Sequence, residues 1–362
     1  MNWIPKLTVV AVIMTASFLT TPVFADDWNL IPSTNASPAN NPALNDDLLA
    51  AIIAAQNGYS QSMRSIQTDA TQKITLTDYF YQWAAALVPG SNETVEKERA
   101  RYPSEESREV EYAISGTKFY FHNLKEPAPS AAKPSNGTGN ATGFFDGKLL
   151  TVYYDYTDPH TTAVNRTGYR QRSDPGEMIR VQSPLTFGYQ LYDTPHEHKW
   201  IADILNNGNP TVVRAGVDPI LGKVILVEAH GPGPHQKPMD YHIWFASKYG
   251  YAAIKCEEQG VETHTIDEAG TFARVGNYWI ATSGHHTAYL SAKGRSDIAQ
   301  IGDITYSGTK LNDIPDSTFT APLEPSATIY DHVGKQMIVT DSSAHVVSDV
   351  PLQPGVKEPV QL

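Results

Sequence analysis

The chain has 362 residues, with 27 basic and 39 acidic side chains, a formal net charge of −12 and one cysteine. This acidic balance repels polyanions, so nucleic acid and anionic lipid headgroups are not expected partners. The lone Cys256 forms no intramolecular disulfide, and no catalytic-cysteine signature surrounds it; it reads as a small core residue, and a large apolar core must supply the stability.

Residues 1–25 read as a signal peptide: Lys6 supplies the positive region, Leu7 to Leu19 the apolar run, and Val23-Phe24-Ala25 the cleavage site. No stable membrane span is expected after cleavage, and the product is expected to be exported, periplasmic or otherwise extracytoplasmic, and soluble. Residues 26–43, rich in Asn, Pro and Ser, read as a disordered leader. Asn45 then caps an amphipathic helix in which Leu48, Leu49, Ile52, Ile53 and Gln56 form one stripe, ended by Gly58. Ser62 to Thr77 alternates as a strand. Asp78 to Val88 looks helical, and Glu93 to Arg108 is a charged helix or loop.

Glu109 to Asn123 holds two strand runs around Ser115-Gly116, and Glu126 to Gly143 is Pro/Ser/Gly-rich sequence suited to an exposed excursion. Phe144-Phe145-Asp146-Gly147 followed by LLTVYYDYT is a hairpin signal. Thr157 to Ser183 carries Arg166, Arg170, Arg172 and Arg180. It reads as a solvated loop or, alternatively, as a cationic lip at a cavity mouth. Pro184 to Asp193 is short and aromatic, and His196 to Asn206 is expected as a second helix with Trp200, Ile201, Ile204 and Leu205 on one face. From Thr211 to Thr340 the chain is almost entirely strand-like, with Gly, Pro, Asn or Asp in the links. The clearest unit is Asp240 to Gln259: runs at Tyr241–Phe245 and Tyr251–Cys256 flank a turn at Ser247–Gly250. Residues 342–362 read as a disordered tail.

The order of these signals resembles the LolA/LolB-like superfamily of periplasmic lipoprotein carriers. The segments that carry the resemblance are LNDDLLAAIIAAQNGYSQSMRSIQTDATQKI, FFDGKLLTVYYDY, HEHKWIADILNNG, VILVEAH, DYHIWFASKYGYAAIKCEEQ, GNYWIATS and YDHVGKQMIVTD. The resemblance implies one α+β domain over residues 44–341, with inserts at about 78–108 and 126–143. Its fold would be a strongly curved antiparallel sheet, an open half-barrel with helices packed on the concave side. The implied function is non-catalytic binding or transport of a lipid or acylated protein in an apolar cavity, with possible envelope protein partners and no cofactor. No carrier residue maps onto this chain.

For that reading the candidate cavity-lining residues are Tyr153, Phe187, Tyr189, Trp244, Phe245, Tyr278 and Trp279. The same residues equally suit an ordinary core, which would make the chain a structural or interaction domain with a filled interior. A third reading is a secreted metal-dependent hydrolase using His196, His198, His230 or His235, with Asp240, His242 and the His285-His286 pair as further candidates. A zinc site needs three or four convergent ligands. In a helix, residues i and i+2 such as His196 and His198 diverge; in a strand they share a face. No nucleophile elbow, HExxH, P-loop or dinucleotide fingerprint is present.

Overall fold

The computed structural model describes residues 37–38, 42–86, 94–127, 138–157, 164–172, 182–194, 197–232, 237–260, 263–292 and 295–352. The expected signal peptide, most of the leader and the centre of the Pro/Ser/Gly-rich excursion lie outside these residues. The first meander comprises β2 (Ser65–Leu76), β3 (Glu105–Ser115), β4 (Lys118–Pro127), β5 (Thr138–Phe145), β6 (Leu150–Thr157) and β7 (Val164–Gln171). The second comprises β10 (Thr211–Asp218), β11 (Gly222–Pro232), β12 (Pro238–Ala246), β13 (Ala252–Gly260), β14 (Thr263–Val275), β15 (Tyr278–Ala292) and β16 (Arg295–Leu311). Antiparallel pairing of β16 with β2 fuses them.

β1 (Ser37–Pro38) adds to β10, while β17 (Ala327–Asp331) runs parallel to β7 and is followed by β18 (Gln336–Thr340) and β19 (Val346–Pro351). Among the described residues this makes one sheet of 17 strands, with β1 and β19 as its free edges. β8 (Gln190–Thr194) and β9 (Glu197–Trp200) form a separate two-stranded ribbon.

Four α-helices accompany the sheet among the described residues: α1 (Pro42–Ser62), α2 (Asp78–Ala86), α3 (Val95–Arg101) and α4 (Ile201–Asn207). Leu48 and Ile52 of α1 meet Ile201, Ile204 and Leu205 of α4 over Ile225, Val227, Tyr241, Ile243 and Phe245. Gln56 and Tyr59 pin α1 to the β12–β13 turn by donating to the carbonyls of Tyr251 and Gly250 at 2.7 and 2.6 Å. That turn needs left-handed backbone at both Gly250 (φ 63) and Tyr251 (φ 63), which glycine accepts without strain. α2 and α3 form a second small core around Phe80, Tyr81 and Trp83 beside Ala299 of β16.

The expected half-barrel with helices filling its concave side is overturned: the molecule is mostly β, its sheet is neither closed nor strongly curled, and little of it is covered by helix. The dimensions give the reason. Seventeen strands at roughly 4.8 Å spacing extend for about 80 Å, whereas the 21 residues of α1 reach only about 30 Å, and α4 has 7 residues.

Three local expectations are also corrected. The Arg-rich stretch expected as a loop contains strand β7. Its charges are matched there: Arg166 grips Asp155 at 2.5 and 2.6 Å and Glu324 at 2.8 Å, and Arg170 faces Asp331 at 3.4 Å. The helix expected from His196 begins at Ile201, because Glu197–Trp200 pairs with β8 instead. The stretch expected as a tail contains β19, which pairs with β18.

Close packing of the sheet face is tested at Gly143 on β5. A Cβ there would lie 2.0 Å from Cε1 of the buried Phe121. Gly143→Ala is expected to destabilise by roughly 1–3 kcal/mol through overpacking, read as a lowered urea midpoint.

Candidate functional site

Residues cross-strand from one another share a face, so register divides the centre of the sheet, from β13 through β16 to β2, into two chemically distinct sides. One side carries charge. Lys255, Glu268, His285, Asp303 and Lys73 are successive partners across five strands, with contacts of 3.0 Å (Lys255–Glu268) and 2.7 Å (His285–Asp303). Lys73 continues the row to Glu105 at 3.2 Å.

The opposite side is apolar. Ala70, Val110, Tyr112, Phe119, Phe121, Leu150, Val152, Ala281, Ile304 and Tyr306 form one continuous cluster that joins both meanders. Lying against it is a short non-strand segment, Gln182 to Tyr189, that leads into β8. Every residue from Gln182 to Leu191 is buried. Phe187 enters this cluster, stacks at an angle on Tyr306 at 6.2 Å, and occupies the space that a Cβ on Gly284 would need. Leu185 and Tyr189 pack with Met63, Ile66, Ala252 and Ile280. Main-chain bonds fix the segment: Ala253 N donates to Gly188 O at 3.0 Å and Ile201 N to Tyr189 O at 2.9 Å. The Tyr189 hydroxyl donates to the carbonyl of Trp279.

The leading end of the segment is polar. Gln182 Nε2 lies 3.2 Å from both Asp267 Oδ1 and His286 Nδ1, and those two are 2.8 Å apart. Tyr306 donates its hydroxyl to the main-chain carbonyl of Gln182 at 2.8 Å. Gln182 Oε1 is buried with no hydrogen-bond partner, while the buried Tyr112 hydroxyl faces the Ser183 side chain. Burial pushes the Tyr112 phenol well up, and burial followed by the neighbouring Tyr112 and Asp267 does the same for Tyr306. Both phenols therefore stay neutral donors. Cys256, the cross-strand partner of Asp267, is likewise driven upward by burial and by Glu258, Asp267 and Glu257, so its thiol stays unactivated.

The residues expected to line one cavity are distributed among several clusters. Phe187 and Tyr189 belong to the buried segment, and Tyr278 packs beside Tyr189. Tyr153 packs with Phe144, Ala327, Ile329 and Ile338; its hydroxyl donates to Pro322 O at 2.7 Å, and its pKa is pushed up to about 12, chiefly by burial. Trp244 and Phe245, adjacent on β12, sit in different clusters, and Trp279 meets the edge of Tyr249 at 5.3 Å. Of the alternative metal ligands, His196 and His235 lie outside the described residues, and only the backbone of His198 is described, within β9. His230 forms an exposed pair with Asp240 at 2.6 Å. Among the described residues no group of three or more His, Cys, Asp or Glu is placed to hold a metal ion.

Sequence reasoning missed Gln182, Asp267, Tyr112 and Tyr306, and considered His286 only as a metal ligand. The face that Asp267 shares with Cys256 is set by the β13–β14 register, which no local pattern marks. Nothing local marks Gln182.

No family model matches the chain, and no curated protein matches it. A solved structure of a DUF1329 family protein from Desulfovibrio piger ATCC 29098 is similar at 9% identity and a TM-score of 0.36, over 75% of this chain and 97% of that one. An acetoacetate decarboxylase-like enzyme from Sphingomonas wittichii RW1 is similar at 11% identity and a TM-score of 0.11, over 69% of this chain and 92% of that one. Neither likeness is close enough to carry an argument about function.

On the charged side, His264 Nε2 lies 2.8 Å from Glu257 Oε1. Burial alone would raise the Glu257 carboxyl, but the His264 hydrogen bond and the charges of His264, His242 and Lys255 outweigh it and lower its pKa. A depressed carboxyl stabilises the fold above its unfolded pKa, and that contribution is lost as pH falls through the folded value. Glu257→Gln is therefore expected to cost about 1–2 kcal/mol near neutral pH. Its deficit against wild type should vanish as pH falls below about 4, measured by urea denaturation at a series of pH values.

Proposed function

We propose that this chain is an exported, periplasmic carrier-like protein that binds an acyl chain, free or attached to a protein, without catalysis. The ligand takes the apolar face now covered by residues 182–191. The observation that carries this reading is the form of that cover: residues 182–189, an irregular segment leading into β8 rather than a helix or strand of the sheet, fill a continuous aromatic and aliphatic surface. Magnitudes support an exchange. Exposing Leu185, Phe187 and Tyr189 costs about 1.5–3 kcal/mol each, and burying an acyl chain returns about 0.8 kcal/mol per methylene, so a chain of roughly ten methylenes balances the loss. The neutral phenols and unactivated thiol beside this face suit binding rather than chemistry. Among the described residues no helix is long and apolar enough to cross a membrane.

The complete burial of residues 182–191 favours a second reading, a filled core whose purpose is to present a surface to a protein partner. Native mass spectrometry of protein from an envelope extract, with titration of a fluorescent twelve-carbon acyl probe, separates the two. A co-purifying acyl mass or saturable uptake is expected, and neither would appear with a permanently filled core. Phe187→Ala should lower the stability of the ligand-free protein by about 3–5 kcal/mol and tighten probe binding.

A further inference from the structure

Three successive hairpin turns at one end of the sheet are bound into a single rim. The first links β10 to β11, where Asp218 Oδ1 accepts from Ile220 N at 2.7 Å and from Leu221 N at 2.8 Å. The second, between β12 and β13, meets it twice: Lys248 N donates to Leu221 O at 3.3 Å, and the Ser247 hydroxyl accepts from Lys223 N at 2.9 Å. The third links β14 to β15, and Tyr249 of the second turn reaches it, stacking on Phe272 at 4.4 Å and meeting the edge of Trp279 at 5.3 Å. We infer that this rim docks the protein on a lipid bilayer whose surface carries anionic headgroups.

Composition carries the inference. Ile220, at the first tip, is 69% exposed and Val217 62%, and no large apolar side chain among the described residues is more exposed than Ile220. Tyr249, Tyr278 and Trp279 are half-buried, as suits rings with an apolar body and a polar edge at a membrane–water boundary. Residues 216–223, 246–252 and 271–279 hold three basic side chains, Lys223, Lys248 and Arg274, against one acidic side chain, Asp218. The Asp218 carboxylate is turned onto the main chain of its own turn. Lys248 and Arg274 lie over the rings of Tyr249 and Trp279 at 5.4 and 6.0 Å. The net charge of −12 opposes an anionic surface on average. Charges farther away than a Debye length, about 8 Å at physiological salt, are largely screened, so the local basic excess decides.

The other exposed apolar group lacks these cations: Val346, Val347 and Val350 share β19 with Asp349 and with no Lys or Arg. Size argues the same way. A stable protein–protein contact takes about 20–30 residues from each side, more than three turn tips offer. A few apolar side chains and basic charges are enough to hold a folded protein reversibly at a bilayer. The inference stands apart from the acyl-binding reading and survives its failure.

The test is co-sedimentation of the mature protein, from Asp26 so that the apolar run at Leu7 to Leu19 takes no part. It compares vesicles of phosphatidylcholine with vesicles that also contain about 30% phosphatidylglycerol. Binding to the anionic vesicles is expected to be at least about tenfold tighter and to fall as salt is raised. Lys223→Gln with Lys248→Gln should weaken it about twentyfold, and Ile220→Ser about fivefold. Lys97→Gln, on α3 beside the far ends of β2 and β3, should leave it unchanged. None of these side chains is buried, so urea midpoints should match the wild type and a loss of binding reads the surface rather than the fold. Equal binding to both vesicles, or binding that the Ile220 and lysine variants leave intact, would overturn the proposal. Binding to neither would also overturn it, and cross-linking of this rim to an envelope protein, lost in the same variants, would then assign the surface to a protein partner.

Discussion

Everything on the apolar face depends on one strand pairing, that of β16 with β2. Each meander is held by hairpin contacts between neighbours in sequence, but neither can build the central cluster alone. Ala70, Tyr112 and Phe121 come from the first, Ala281, Ile304 and Tyr306 from the second. The junction is a run of opposed residues from Gln300 with Leu76 to Leu311 with Ile66. It is reinforced by Thr68, whose hydroxyl reaches the carbonyl of Ser307 at 3.0 Å and the hydroxyl of Thr309 at 2.8 Å. Because Tyr306 lies on this seam, the same pairing that unites the sheet also places the hydroxyl that receives Gln182.

The sheet separates its two tasks by face. Alternation along β13 to β15 sends Lys255, Glu268 and His285 to one side and Cys256, Asp267 and His286 to the other. Exposed charges such as His285 with Asp303 contribute solubility more than stability. The buried trio of Asp267, His286 and Gln182 is a different case. A polar network with no access to water must be satisfied internally or by a ligand, and Gln182 Oε1 within it has no hydrogen-bond partner.

Local chemistry made the hairpins legible. Asp240 to Gln259 and the Asp146-Gly147 turn carry strong strand runs and glycines where left-handed backbone is needed, and α1 shows its apolar stripe plainly. The breadth of the sheet was not legible, because the resemblance to a half-barrel supplied a curvature that no residue pattern encodes. In sequence β7 reads as a loop, since its arginines look solvated until Asp155, Glu324 and Asp331 are brought to them from elsewhere in the chain. The first half of β14, THTIDEAG, carries no apolar alternation that would tell its two faces apart, and one of them builds the Asp267 network. The aromatics were recognised as a class but not sorted. Which of them share a cluster is decided by register and by the register shifts where β12 meets β13 and β14 meets β15, and neither is a local property of sequence.

The seam between β16 and β2 also bears on how the molecule is made. Thr68 and Ser307 are 239 positions apart, so the loop they close is among the longest a chain of this size can form, and contacts of this kind form late. A nascent chain delivered from its N-terminus would complete the first meander while the strand destined to cover β2 was still missing. For that interval β2 would present a bare row of backbone donors and acceptors, open to pairing with any other extended chain. The wide antiparallel architecture thus implies a vulnerable period during biogenesis, one that ends when the last third of the polypeptide arrives.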